Sequence, residues 1–174
     1  MPPGTEPGRP FFQRFYTLGS DRAGRPLALD PLVTGEADVL GRAFAAIDPW
    51  LSYRLAAHEL AGFFTREEEG ASRYAIRNDG RLAGVVVMRV PWLNGPYLQF
   101  LGVLEPFRSR GVGEKVLTWI EEQARASGAR NTWLCVTGTN TNARRFYERH
   151  GYALAAEFDG LVADGIQEVL MRKR

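Results

Sequence analysis

The strongest structural signal in this chain lies at Gln99-Phe-Leu-Gly-Val-Leu-Glu-Pro-Phe-Arg-Ser-Arg-Gly-Val-Gly-Glu-Lys-Val-Leu117. Residues 97–104 are apolar, aromatic and β-branched, which predicts a buried strand, and Glu105-Pro106 is expected to end it. From Gly111 onward the apolar residues recur at helical spacing, and Ser127-Gly128 is expected to end the helix. The apolar face of this predicted helix consists of Val112, Val116, Leu117, Ile120 and Ala124.

The loop between this strand and helix, residues 108–113, has the composition of an anion-binding site. Gly111 and Gly113 carry no Cβ atom, so a ligand can come close to the backbone. The N–H groups at the start of a helix lack intrahelical acceptors, and the helix dipole together with Arg108 and Arg110 adds positive potential there. A pyrophosphate suits such a loop. An ordinary turn, with glycines for geometry and arginines for solubility, would have the same residues.

Two common nucleotide-binding motifs do not match this loop. A dinucleotide fingerprint needs Gly or Ala at the position that Val116 occupies in Gly111-Val-Gly113-Glu-Lys-Val116. A P-loop needs Ser or Thr after its lysine, whereas Lys115 is followed by Val116. The sequence therefore excludes both motifs at this position.

A second segment downstream has to be considered with this loop, Asn140-Thr-Asn-Ala-Arg-Arg-Phe-Tyr-Glu-Arg-His-Gly-Tyr152. It is similar to the pattern Asn-x-x-Ala-x-x-x-Tyr-x-x-x-Gly-Phe/Tyr, and Arg108-x-x-Gly111-x-Gly113 is similar to a Gln/Arg-x-x-Gly-x-Gly/Ala phosphate loop. Both patterns, in this order, are those of the GNAT superfamily of acetyl-CoA-dependent N-acetyltransferases. The chain resembles that superfamily from about residue 74 to residue 152.

The predicted elements form an α/β domain with a mixed, mostly antiparallel central sheet flanked by about four helices, which is also the GNAT order. Besides the central strand and helix, they are a strand over residues 27–29, helices over 35–47 and 53–64, a hairpin over 72–90, a turn over 91–96, a strand over 132–136, a helix over 141–150 and an antiparallel pair over 154–158 and 167–171. Residues 26–174 are predicted to be one GNAT-like domain. Residues 1–25 are predicted to be an extension, mobile over Met1–Pro10, whose aromatic residues dock on the domain or on a second subunit of a homodimer; these are Phe11, Phe12, Phe15 and Tyr16.

Composition and charge indicate which partners and which cellular compartment to expect. A net charge of +2 without a long basic run gives no reason to expect nucleic acid. No window is apolar enough to span a membrane, and the chain starts without a signal-peptide pattern. The single cysteine, Cys135, rules out an internal disulfide and fits a reducing compartment, so a cytoplasmic location is expected. No metal is expected.

The resemblance implies acetyl-CoA as co-substrate and assigns its contacts. The backbone of Leu101, Gly102 and Val103 would pair with the pantetheine arm, which requires this strand to splay from the strand over 132–136. Gly102 is a candidate for a β-bulge, and a free N–H near Val103 would bind the acetyl oxygen. The other cofactor-binding candidates are Arg108, Ser109, Arg110, Gly111, Val112, Gly113, Glu114, Asn140 and Tyr147.

Tyr147 is the candidate acid for the leaving thiolate. A phenol with a pKa of about 10 stays protonated at neutral pH and can give a proton to sulfur. A tyrosine that only packs against Phe146 and Tyr152 is the alternative. Asn140 stands before a predicted helix, where it suits an N-cap as well as a cofactor contact.

The sequence offers several candidates for the general base. The superfamily members that acetylate ribosomal-protein N-termini carry a glutamate at the position where Cys135 stands in Leu134-Cys135-Val136. Cys135 itself suits a small buried apolar residue better than a nucleophile. His58 is the candidate base, with a packed or surface histidine as the alternative. Asp48 and Glu105 are weaker candidates, and a water relay would need no single residue.

Acceptor recognition in this fold is implied to lie in the loop between the first two helices and the loop between the last two strands, residues 159–164. Asp48, Trp50 and Tyr53 in the first loop suit a cationic amine, because aromatic rings and a carboxylate both attract a cation. Trp50 and Tyr53 could equally be core residues. The predicted activity is transfer of an acetyl group to a primary amine of a small molecule or a peptide N-terminus. A non-catalytic acetyl-CoA-binding sensor, or an enzyme using another acyl donor, is the alternative.

Overall fold

A computed structural model describes residues 10–174 of the chain, so the prediction for Met1–Pro10 lies almost wholly outside the described residues. The strands are β1 (Tyr16–Ser20), β2 (Pro26–Pro31), β3 (Ala71–Asn78), β4 (Arg81–Trp92), β5 (Gly95–Val103), β6 (Thr132–Thr137), β7 (Ala153–Asp159) and β8 (Gln167–Lys173). The helices are α1 (Thr34–Ala45), α2 (Ala57–Thr65), α3 (Val112–Ala126) and α4 (Thr141–Arg149). A short 3₁₀ turn, Glu105–Phe107, joins β5 to the loop before α3.

The strands form one 8-stranded sheet in the order β1-β2-β3-β4-β5-β6-β8-β7, with helices on both faces. Helices α1 and α2 cover one face around Phe44, Phe64 and Phe100, and α3 and α4 cover the other. The middle of β4 is buried on both faces, since Val85 belongs to the first core and Val86 to the second. This explains its continuous apolar run, and it confirms the predicted α/β class.

Strands β5 and β6 form a parallel pair that opens almost at once. Residue pairing between them is limited to Tyr97 with Trp133 and Leu98 with Leu134. Beyond that point β5 continues to pair with β4 as far as Val103, and β6 continues to pair with β8. The gap between β5 from Gln99 and β6 from Cys135 is called the fork below. The predicted splay of these two strands is confirmed.

Strand β1 has no counterpart among the predicted elements. It is short and carries an irregularity between Thr17 and Gly19, so its alternation pattern is weak, yet it pairs antiparallel with β2. Phe11 and Tyr16 pack edge-on against the ring of Trp119, with centroids 5.0 Å apart in each case. The predicted docking on the domain is therefore confirmed for Phe11 and Tyr16, whereas Phe12 and Phe15 are exposed.

Two predicted boundaries are wrong. The second helix begins at Ala57 rather than Tyr53, because the Glu59 carboxylate accepts the Ala56 N–H at 2.7 Å and fixes the helix start there. The turn predicted over 91–96 shrinks to the residues between Trp92 and Gly95, where Leu93 and Asn94 adopt φ values of 38° and 60°.

The β-bulge predicted at Gly102 lies instead at Gln99. Val87 pairs with Phe100 and Met88 with Leu98, which leaves Gln99 as the extra residue. Gly102 pairs regularly with Val85, and glycine is required there for a different reason. A Cβ atom at this position would overlap the Phe44 ring.

No helix within residues 10–174 has the length and apolar character needed to cross a membrane.

We expect Gly102→Ala to lower the free energy of unfolding by about 1–3 kcal/mol, because the new methyl group must displace the Phe44 ring from a packed core. Gly62→Ala is the control. It lies in α2 with open space where a methyl group would stand, and it should raise stability by about 0.5–1 kcal/mol. Urea denaturation measures both; a Gly102→Ala variant as stable as wild type would contradict the close packing.

Candidate active site

The fork opens into a cleft of about 490 Å³, a volume within the range of small-molecule sites. Trp50 and Tyr53 line it from the connection between α1 and α2, and Tyr147 lines it from α4. Leu161 and Val162 reach it from the loop between β7 and β8. Both loops that were predicted to recognise the acceptor therefore meet at this cleft.

A second depression, of about 600 Å³, lies over the loop before α3 and is called the loop groove below. Its floor includes Arg108, Ser109, Gly111 and Gly113. Ser109 and Gly111 have φ values of 61° and 83°, and left-handed residues that alternate with right-handed ones turn successive N–H groups toward one point. The positive end of the α3 dipole adds to this potential. The geometry fits an anion with several oxygens.

The side chains around the loop groove differ in what they do. Arg108 donates from Nε to the Val103 carbonyl at 3.0 Å, which ties the loop to the end of β5. The Arg110 guanidinium lies over the Phe107 ring, 5.6 Å from its centroid, and Arg110 is not among the residues that line the loop groove. The Glu114 carboxylate pairs with Arg22 at 3.5 Å. Its backbone N–H in the first turn of α3 can still meet an anion.

Arg22 is a groove residue that the sequence does not predict. It comes from the turn between β1 and β2, donates to the Ser109 carbonyl at 3.4 Å and lines the loop groove. Its contact spans 87 positions of sequence, so no local motif could have indicated it.

Tyr147 and Asn140 both line the cleft. The Asn140 side chain accepts the Ala143 N–H at 3.1 Å, which confirms its predicted N-cap. The Tyr147 ring packs edge-on against Phe146 and Tyr152, and the residue is only 9% exposed. Burial raises the pKa of the Tyr147 phenol, so its hydroxyl remains protonated at neutral pH. The packing role and the position expected of an acid are therefore compatible.

A polar cluster lies on the β6–β8 side of the fork. The Tyr53 hydroxyl donates to the Glu168 carboxylate and is hydrogen-bonded to the Thr137 hydroxyl. Since a phenol has one proton, Thr137 is the donor in the second bond. Glu168 is 3% exposed and stands opposite Thr137 in the β6–β8 ladder. The sequence indicates this residue only weakly, as a single glutamate directly before the apolar run Val169-Leu170-Met171.

Burial raises the pKa of Tyr53, of Tyr97 and of the Cys135 thiol. All three groups are neutral at neutral pH, so the half-buried Cys135 side chain is a thiol and not a thiolate nucleophile, in line with the sequence-based interpretation.

The remaining predicted residues divide between the cleft and the surface. The Trp50 ring stacks on Phe100 with centroids 4.6 Å apart and also lines the cleft, so its core role and its site role coexist. His58, Asp48 and Glu105 are exposed and lie outside the residues that line the cleft. Asp48 accepts a hydrogen bond from Ser52. Within residues 10–174, no cluster of three or more His, Cys, Asp or Glu side chains is placed to hold a metal ion.

We expect Gly111→Val to weaken CoA binding at least about tenfold, because its side chain enters the loop groove next to Arg22. Valine in this left-handed conformation also costs about 1–2 kcal/mol of stability. Gly128→Val is the matched control, since Gly128 has a φ of 73° with open space around it at the end of α3. Calorimetric titration with CoA should separate the two variants, whereas equal affinities would contradict the assignment of the loop groove.

Comparison with known proteins agrees with this geometry. The sequence model of the acetyltransferase (GNAT) family matches residues 38–152. The chain is 36% identical over 87 residues to aminoalkylphosphonate N-acetyltransferase of Salmonella typhimurium, covering 46% of this chain and 54% of that protein. It is 26% identical over 120 residues to S-alkylcysteine N-acetyltransferase of Bacillus subtilis, covering 61% and 66%. The first of these matches thus spans about half of the relative's length.

Solved structures show the same fold. Nourseothricin acetyltransferase superposes with a TM-score of 0.55 at 30% identity, over 60% of this chain and 65% of that one. RimJ of Mycobacterium smegmatis, in complex with CoA-disulfide, superposes with a TM-score of 0.70 at 14% identity, over 94% and 88%. The match of the family's sequence model to residues 38–152 covers more than half of the chain, and the chain therefore belongs to the acetyltransferase (GNAT) family.

Proposed function

We propose that this protein transfers the acetyl group of acetyl-CoA directly to a primary amine. The observation that carries the proposal is that the end of β5 borders both the loop groove and the cleft. Val103 lines the loop groove, and Leu101, two residues earlier on β5, lines the cleft in the fork. A cofactor whose phosphates occupy the groove can therefore extend its arm along the unpaired edge of β5 into the fork.

The chemistry requires a polarised thioester carbonyl, a neutral amine and a stabilised leaving thiolate. Backbone groups of β5 beyond Leu98 have no partner from β6, which supports a contact between a β5 N–H and the acetyl oxygen. Tyr147, protonated and at the cleft wall, supports the role of acid toward the thiolate. Trp50 and Tyr53 support entry of the acceptor from the side of α1 and α2.

The relatives support a small primary amine as acceptor. Two carry the names of N-acetyltransferases acting on aminoalkylphosphonate and on S-alkylcysteine, and a structural neighbour is a nourseothricin acetyltransferase. An acetyltransferase of the same fold from Elizabethkingia anophelis has acetyl-CoA bound, with a TM-score of 0.55. These names favour an enzyme over a non-catalytic sensor.

The test is thiol release from acetyl-CoA in the presence of a panel of amines, amino acids and peptide N-termini. We expect turnover with at least one small amine. Tight CoA binding without turnover of any amine would contradict the proposed enzyme and favour an acetyl-CoA sensor. Turnover with a longer acyl-CoA alone would contradict the acetyl donor.

We also propose a cytoplasmic location and a homodimer. The single cysteine supports a reducing compartment. Edge strand β7 leaves one side unpaired and exposes the apolar side chains of Leu154 and Phe158, which supports a contact between copies. A monomeric mass by light scattering at micromolar concentration would contradict the dimer.

We expect Tyr147→Phe to lower kcat by roughly 10²–10⁴-fold while the affinity for acetyl-CoA changes little, because only the proton donor is lost. The loss should shrink with acyl donors whose leaving thiol is more acidic, since such a thiolate needs less help. Steady-state kinetics and a thermal melt measure the two effects.

Tyr152→Phe is the control for this substitution. Tyr152 is also buried, its ring contacts that of Tyr147, and its hydroxyl has no hydrogen-bond partner among the described residues. Its loss should leave kcat unchanged and stability unchanged or slightly raised. If Tyr147→Phe stays within about twofold of wild type in kcat, Tyr147 is a packing residue only.

A further inference from the structure

Glu168 is a buried carboxylate without a counter-ion in the described part of the chain. Asp21, the other buried carboxylate of residues 10–174, accepts the N–H groups of Ala23 and Arg25 and the side-chain amide of Asn78. The half-buried Glu36 is paired with the Arg77 guanidinium. Glu168, by contrast, accepts a hydrogen bond from the neutral Tyr53 hydroxyl and forms no ion pair with any described residue.

The groups that face Glu168 cannot supply a positive charge. They are Tyr53 from the α1–α2 connection, Tyr97 from β5, and Cys135 and Thr137 from β6. Arg66 and Glu59 lie elsewhere on the wall of the same cleft, and neither pairs with Glu168. A buried carboxylate with only neutral donors is costly, and the cost falls when a cation binds beside it. The structure therefore favours a cationic ligand at this point.

The surroundings also suit an ammonium group. Trp50, Tyr53 and Tyr97 present aromatic rings to the cleft that contains Glu168, and aromatic faces attract cations in desolvated sites. Tyr97 belongs to the part of β5 that still pairs with β6, and burial, with a smaller effect of the nearby Glu168 carboxylate, raises the pKa of its phenol. Glu168 lies on the β8 side of the fork, in the same cleft as the unpaired edge of β5. A ligand bound beside Glu168 can therefore meet the end of an arm that extends along β5.

We propose that Glu168 receives the ammonium group of the acceptor amine and removes one of its protons before the attack. This inference rests on the proposed acetyl transfer. The ammonium gives one proton to the Glu168 carboxylate, and the freed nitrogen lone pair forms the C–N bond to the thioester carbonyl. The C–S bond breaks, and the thiolate takes a proton from Tyr147. The nitrogen loses its second proton to the phenolate of Tyr147, and Glu168 releases its proton to solvent, which restores both residues.

Glu168→Gln tests this role because it keeps an oxygen that accepts the Tyr53 hydrogen bond and removes only the charge. With an alkylamine, which is an ammonium ion at neutral pH, kcat/KM should fall by roughly 10²-fold or more. With an arylamine, which is already neutral, the same variant should stay within about threefold of wild type. This ratio is measured within one folded variant, so a change in stability alone cannot produce it.

Glu157→Gln is the matched control, since Glu157 is exposed on β7 beside β8 and outside the cleft lining. It should leave both acceptors unaffected. Equal losses for alkylamine and arylamine in Glu168→Gln would overturn the proposal in favour of a structural role. No loss with either acceptor would overturn it as well.

A binding measurement separates this inference from the proposed function. The alkylamine is titrated into the CoA complex of wild type and of Glu168→Gln, and the variant should bind at least about tenfold more weakly. Charge-dependent binding without turnover by wild type would contradict the acetyl transfer but support an ammonium site at Glu168. Equal binding by the two proteins, or no binding by either, would overturn the site.

Discussion

The site depends on the early end of pairing between β5 and β6. These parallel strands are paired at only two positions, so the edge of β5 that faces β6 has no hydrogen-bond partners from β6 beyond Leu98. The bulge at Gln99 bends β5 at this point, while β4 holds its other edge as far as Val103. Phe44 and Trp50 pack on Phe100 and keep the bent strand in place. The unpaired edge is thus built into the core and available to a ligand.

Features that depend on neighbours in sequence were predictable. The strand, loop and helix around Gly111 follow from local composition, and the N-cap of Asn140 follows from its place before α4. The hairpin turn at Asp79-Gly80 has the positive φ values that Asp-Gly turns require. These features place the proposed cofactor half of the site, because a phosphate loop is a short, continuous piece of chain.

Features that depend on contacts between distant segments were not predictable. Arg22 reaches Ser109 from another turn, and Tyr53 meets Glu168 across 115 positions. The bulge lies at Gln99 and not at Gly102. Gly102 is a glycine because the Phe44 ring leaves no space for a Cβ atom there, and this contact leaves no trace in the local sequence pattern. His58 and Asp48 looked suitable by residue type alone, but the fold turns them to the surface. The acceptor half of the site was therefore predicted only as a pair of loops.

The two halves of the site also differ in electrostatic sign. Arg22, Arg108, Arg149 and the start of α3 surround the loop groove, whereas Glu168 and neutral phenols line the cleft in the fork. Opposite potentials at the two ends of one channel orient a molecule whose anionic groups lie far from its reactive end. A buried carboxylate repels phosphates from the acceptor end and attracts an ammonium ion to it. In the proposed reaction, the polarity that holds the donor also keeps the acceptor position open for an amine.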